Sequence, residues 1–269
     1  MNQIVSVLEP WLVNHPIILN FQWIEGRTLG STPLFLTLTV CSYLSLSLLL
    51  RHVPLPSISP AFLAPISALH NLTLLLLSLL MAVGCSLSAL RHAHSVVCLP
   101  PPTSRSGPLF FWAHLFYLSK ILEFVDTLLI ILSGSFRRLT FLHVYHHSTV
   151  PIMAYLWLHT AQSLFPVALV TNATVHVVMY GYYFLCSVGV RPTWKRLVTD
   201  CQILQFVFSF VASGWMLYEH FGGSAAGCSG IWGWCFNAVF NASLLALFLN
   251  FHFKSYAANA NKRVESKSH

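Results

Sequence analysis

The chain has 269 residues, 56% of them hydrophobic and only 8% charged, and a formal net charge of +7. Soluble domains usually carry about 25% charged residues, so this composition, with a mean hydropathy of +0.68, excludes an ordinary water-soluble protein. It describes one membrane domain with no room for a second globular unit.

In chain order, residues 1–32 lack a basic stretch followed by an apolar one, so no cleaved signal peptide is expected and the first span serves as the signal. A span needs about 20 apolar residues. Seven windows meet this: 33–50, 67–90, 109–132, 140–162, 166–188, 197–218 and 231–253. The fourth and fifth are joined only by residues 163–165 and also read as one helical hairpin. Residues 100–102, all proline, with Gly107 and Pro108, form an exposed loop. The expected fold is an all-α membrane protein: an outer segment over 1–32, seven transmembrane helices over 33–253, and a cytosolic tail over 254–269.

Basic residues set the orientation. With the N-terminus outside, Arg51, Arg137, Arg138, Arg191, Lys195, Arg196, Lys254, Lys262, Arg263 and Lys267 lie inside, against Arg27, Arg91 and Arg105 outside. The positive charge is thus read as topology, and no nucleic-acid partner is expected. The seven cysteines show no CxxC pair and read as small packed thiols. Cys98 and Cys228 could pair if both face an oxidising lumen. Glycosylation sequons at Asn71, Asn172 and Asn241 fall within spans and are read as chance matches.

Ionisable groups inside a span are costly and usually mark function. The third span holds Lys120, Glu123, Asp126 and Thr127. Lys120, Glu123 and Thr127 share a helical face with Asp126 alongside; either an ion-pair network or a working site follows. The fourth opens with His143, His146 and His147 on one face. The fifth carries Asn172, His176, Met179, Tyr180 and Tyr183 as a continuous polar stripe, with Tyr182 nearby. The sixth carries Thr199, Gln202 and Gln205, which alone read as interhelical glue. With alternating span directions, all four groups fall at one depth in the cytoplasmic half. A chamber open to the cytosol produces that agreement; scattered core polar residues do not.

Histidine serves as nucleophile toward thioesters or as general base, and Gln, Asn and Tyr can donate to a developing oxyanion. No nucleophile elbow and no phosphate-cradling glycine loop is present. His92, His94, His114 and His159 lie at the outer level. Only His143, His146, His147 and His176 share the chamber, enough for one zinc or iron but not for a di-iron centre. Three classes remain open: a histidine-dependent enzyme acting on thioesters, a metal-dependent membrane oxidoreductase of the histidine-box type or hydrolase acting on lipid, and a seven-helix receptor or transporter.

Together the four segments resemble the ELO family of very-long-chain fatty-acid elongases, marked in order by KxxExxDT, HxxHH, HxxMYxYY and TxxQxxQ. Here they read KILEFVDT (120–127), HVYHH (143–147), HVVMYGYY (176–183) and TDCQILQ (199–205). The likeness covers about residues 108–210. The C-terminus, Glu-Ser-Lys-Ser-His, departs from the family's dilysine retrieval signal. The resemblance implies six helices in a barrel around a narrow acyl tunnel, in the endoplasmic reticulum membrane. It implies condensation of long-chain acyl-CoA with malonyl-CoA to 3-oxoacyl-CoA, carbon dioxide and CoA, with no metal or redox cofactor. By position His146 would be the nucleophile, and His176 would assist decarboxylation or stabilise the enolate. His143 and His147 would orient or activate the nucleophile, and Asn172, Gln202 and Gln205 would hold carbonyl oxygens. Lys120, Glu123, Asp126, Tyr180 and Tyr183 complete the implied substrate site. Implied partners are the bilayer, the other elongation-cycle enzymes and a second copy as a homodimer.

Overall fold

The computed structural model describes residues 2–53, 58–91, 96–223 and 226–257. The expected tail over 254–269 therefore lies outside the described residues beyond 257, as do His92 and His94. The chain is all-helical, and among the described residues the only β pairing is an isolated bridge between Gln22 and Ser106. Ten α-helices follow in order among the described residues: α1 (Asn2–Leu12), α2 (Pro16–Leu19), α3 (Pro33–His52), α4 (Pro60–Leu90), α5 (Pro108–Leu122), α6 (Phe124–Leu132), α7 (Phe141–His159), α8 (Phe165–Ser187), α9 (Lys195–Tyr218) and α10 (Ile231–His252).

Local signals place the starts. Pro33, Pro60 and Pro108 occupy the first helical position, where a missing N–H costs nothing. Thr32 and Thr140 cap α3 and α7, their hydroxyls accepting from the N–H groups of Phe35 and His143 at 3.2 Å. Each of the seven apolar windows is helical. The third differs from expectation: it is two helices, α5 and α6, that meet at Glu123. There Asp126 N–H donates to Glu123 C=O at 3.0 Å, a tighter i→i+3 step that breaks the α-helical ladder.

Among the described residues, four helical stretches are long and apolar enough to cross a membrane by length and composition: Pro33–His52, Pro60–Leu90, Lys195–Gly222 and Ile231–Ser255. Large apolar side chains such as Leu69, Val211 and Val239 are exposed along them, which suits lipid and not water. The protein is a multi-pass membrane protein.

α4 packs most extensively on α8 and also on α5; α5 packs on α7; α7 on α10; α10 on α9; and α9 on α8. α3 rests on α7 and α6. Gly84 permits the α4–α5 approach, since a Cβ there would stand 2.2 Å from the Trp112 ring.

One end of the bundle is stitched shut. Cys98 and Cys228 form a disulfide, the pairing that the sequence left open. Next to it Ser229 N–H donates to Leu99 C=O, Leu99 N–H to Ser163 Oγ, and Ser163 N–H to Ser229 C=O, all at 2.8–3.0 Å. This is the short α7–α8 turn, and it needs positive φ at Ala161 and Leu164. Gly230, at φ 70°, lies so close that a Cβ would stand 2.4 Å from Gln162 Cα. The N-terminal segment caps the same end: Trp23 packs edge-on to Tyr117 and Tyr155, and His114 Nε2 meets Leu29 C=O at 2.9 Å. The opposite end carries exposed Arg137, Arg138, Arg191, Lys195 and Arg196.

Candidate active site

Six helices, α3 to α8, contribute to one buried polar cluster. At the α5–α6 junction, Lys120 and Glu123 are both 2% exposed, and Lys120 Nζ donates to Glu123 Oε1 at 2.6 Å. His176 from α8 sets its Nδ1 3.2 Å from that same oxygen and 3.2 Å from Lys120 Nζ. Lys120 also stands 4.4 Å from the centre of the Phe116 ring, over its face. A buried carboxylate so placed is held between a cation and an imidazole, the pairing that makes ionised groups tolerable out of water.

Asp126, one turn on, turns to other partners. Tyr180 Oη donates to its Oδ2 at 2.8 Å, and His70 Nε2 from α4 meets its Oδ1 at 2.9 Å. Thr127 Oγ1 lies 2.8 Å from His143 Nε2 and 3.1 Å from Tyr43 Oη of α3. The helix break at Glu123 is what lets adjacent acidic residues address different neighbours.

The α7 histidines differ from one another. His143 is tied to Thr127 and its ring centroid lies 4.3 Å from that of His147. His147 is buried, edge-on to His146. His146 is half-buried, and its Nδ1 is enclosed without a hydrogen-bond partner. One ligand-type atom each of Glu123, His146 and His176 lie within 4.8 Å of one another.

Beyond His146 runs a narrow pocket with a cavity volume of about 30 Å³. Its α7 wall is Val150, Met153 and Trp157; Asn172 from α8, Gln205 and Ser209 from α9, and Asn237 and Asn241 from α10 supply polar groups. Asn172 Nδ2 reaches Gln205 Oε1 at 3.5 Å, and Asn241 Nδ2 donates to Ser209 Oγ at 3.2 Å.

The structure thus brings Lys120, Glu123, His146 and His176 together, with Asp126, Tyr180, His143 and His147 in the adjoining layer and Asn172 and Gln205 in the pocket wall. It places two expected site residues elsewhere. Gln202 turns its amide to Met179 Sδ at 3.5 Å and does not line the pocket. Tyr183 is exposed, edge-on to Tyr180 and Tyr182. Sequence reasoning missed Tyr43, His70, Asn237 and Asn241. Lone polar residues carry no periodic signal; only an intramembrane histidine in α4 and the paired asparagines of α10 could have flagged them.

Comparison with known proteins agrees with this region. The family model described as "ELO: GNS1/SUR4 family" matches residues 28–264. A "Fatty acid elongase 3-like" protein of Arabidopsis thaliana is 29% identical over 94% of this chain and 93% of its own. "Fatty acid elongase A" of Dictyostelium discoideum is 36% identical over 70% of each chain. "Very long chain fatty acid elongase 5" of Homo sapiens is 31% identical over 75% of this chain and 66% of its own.

Proposed function

The chain belongs to the GNS1/SUR4 (ELO) family, and we propose that it is the condensing enzyme of fatty-acid elongation, a 3-oxoacyl-CoA synthase working through an acyl-histidine. The observation that carries the mechanism is His146. It alone of the α7 histidines lines the pocket, and its Nδ1 meets no protein group, while His143 is tied to Thr127.

A ring nitrogen of His146 attacks the acyl-CoA carbonyl carbon. The C–S bond breaks, CoA leaves with a proton, and the acyl group stays on the imidazole. Malonyl-CoA then loses carbon dioxide. The electron pair of the broken C–C bond forms the thioester enolate, which attacks the acyl carbonyl; the C–N bond breaks, and the departing imidazolate takes up a proton from solvent to regenerate the imidazole. His176, held by Glu123 and Lys120, lies beside His146 and serves the enolate. Asn172 and Gln205 offer amide donors for carbonyl oxygens.

The cycle of helix neighbours α4–α5–α7–α10–α9–α8 supports a six-helix barrel around the acyl pocket, with α3 outside and α5–α6 as one broken span, giving seven spans. CoA docks at the basic end, where Arg137, Arg138, Arg191 and Lys195 supply counter-charges. The disulfide at the opposite end favours an oxidising lumen there. The endoplasmic reticulum membrane, with a lumenal N-terminus and a cytosolic C-terminus, follows from the same reading. The other enzymes of the elongation cycle and a second copy of this chain are its expected partners.

The Glu123–His146–His176 cluster also invites a metal-dependent reading. Lys120 argues against it. Its ammonium donates to Glu123 Oε1 and stands 3.2 Å from His176 Nδ1, so a cation already sits against two of the three groups. Stoichiometric zinc or iron in the purified protein would overturn the metal-free chemistry. For the acyl-histidine, the purified protein is incubated with acyl-CoA alone and digested for mass spectrometry. An acyl adduct on His146, lost in His146→Ala, is expected; no adduct across several chain lengths would rule out the covalent route.

A further inference from the structure

Among the described residues, seven buried side-chain polar atoms lack a hydrogen-bond partner, and four of them belong to residues that line this pocket: His146 Nδ1, Asn172 Oδ1, Asn237 Oδ1 and Trp157 Nε1. The first two belong to residues that the proposed reaction uses. The last two do not. Asn237 is 4% exposed and Trp157 1% exposed. Along α7, Trp157 is eleven residues from His146, about 16 Å of helical rise.

The register of α10 on α7 puts Asn237 at the Trp157 end. Ser243 Oγ meets Tyr145 Oη at 2.7 Å, beside His146. At the other extreme a Cβ on Gly233 would stand 2.7 Å from Thr160 Oγ1. Asn237 is one turn from Gly233, and Trp157 is one turn from Thr160. Two residues of the pocket wall therefore bring an orphaned acceptor and an orphaned donor to a shared level. A plain hydrocarbon chain end would leave both unanswered, and each buried unmet polar group is costly. A hydroxyl both donates and accepts.

We propose that the closed end of the pocket selects an acyl chain bearing a hydroxyl in its distal part, which donates to Asn237 Oδ1 and accepts from Trp157 Nε1. The inference rests on the elongase reading, with the acyl chain running from His146 toward Trp157. A site built to bond a substrate hydroxyl discriminates far more strongly against the analogue that lacks it than an apolar pocket can discriminate by size.

The test uses the full chain in microsomes with labelled malonyl-CoA. Saturated acyl-CoA competes with monohydroxy acyl-CoAs of the same length, the hydroxyl being moved along the chain. The expected result is a preference of about ten-fold or more in kcat/KM for one narrow range of distal positions. Asn237→Leu and, separately, Trp157→Phe should each shrink that ratio. The saturated chain in the same reaction is the internal reference, so partial loss of folded protein cancels. Equal use of the saturated and hydroxylated chains at every position would overturn the inference and leave the elongase reading standing, with water filling the end. A preference that both variants leave intact would overturn the assignment to these residues. Condensation of neither chain would sink the elongase reading itself, and the inference with it.

Discussion

Two adjoining layers of the bundle treat polarity in opposite ways. Around Glu123 and Asp126, each carboxylate has two partners: Lys120 and His176 on one, His70 and Tyr180 on the other. In the pocket wall a turn or more away, Asn172, Asn237 and Trp157 keep buried polar atoms with no partner. Buried polar groups in a folded protein are nearly always satisfied. The saturated layer therefore reads as scaffold for the histidines, and the unsaturated one as the place where a substrate completes the bonding.

Substitutions can break that contrast. The largest effect on stability is expected from Glu123→Ala, which leaves the Lys120 ammonium buried and unpaired beside His176. Removing one partner of a buried pair costs roughly 3–5 kcal/mol, to be read as a lowered unfolding midpoint in detergent together with loss of condensation. Lys120→Met combined with Glu123→Leu should recover much of the stability without the activity. A double variant no more stable than Glu123→Ala would show that the pair is not coupled.

His70→Leu comes next. Asp126 keeps Tyr180 but loses its second partner, so a cost of about 1–3 kcal/mol is expected. The same midpoint measurement applies, and wild-type stability would mean that Asp126 needs only one partner.

Asn237→Leu should show the smallest stability change and the opposite sign. Replacing an unsatisfied buried amide by an apolar group of similar size is neutral or stabilising, within about 1 kcal/mol. A marked loss of stability would place Asn237 in the scaffold and erase the distinction between the layers.

His146→Ala separates the two layers most directly. Condensation should fall by at least about 10³-fold if the imidazole is the nucleophile, while the midpoint moves little, because no protein group uses His146 Nδ1.

Much of the scaffold is legible in the sequence, for physical reasons. Lipid imposes long apolar windows, so helices appear where hydropathy puts them. Intramembrane charge is so costly that Lys120, Glu123, Asp126 and the HVYHH run mark the buried polar cluster from sequence alone. Helical periodicity then sorts His143, His146 and His147 onto one side of α7. The segments carrying Lys120 and Glu123, His146, and His176 do meet in one cluster.

The partners, by contrast, were decided only by tertiary packing. Periodicity treats Lys120, Glu123 and Thr127 as one face, but the helix break at Glu123 sends Asp126 to His70 and Thr127 to Tyr43. Gln202 and Gln205 look alike three residues apart, yet one turns to Met179 and the other into the pocket. The disulfide between Cys98 and Cys228 and the level shared by Asn237 and Trp157 join residues far apart in the chain. Such pairings depend on how helices rotate and slide against one another, and a one-dimensional pattern carries no term for either.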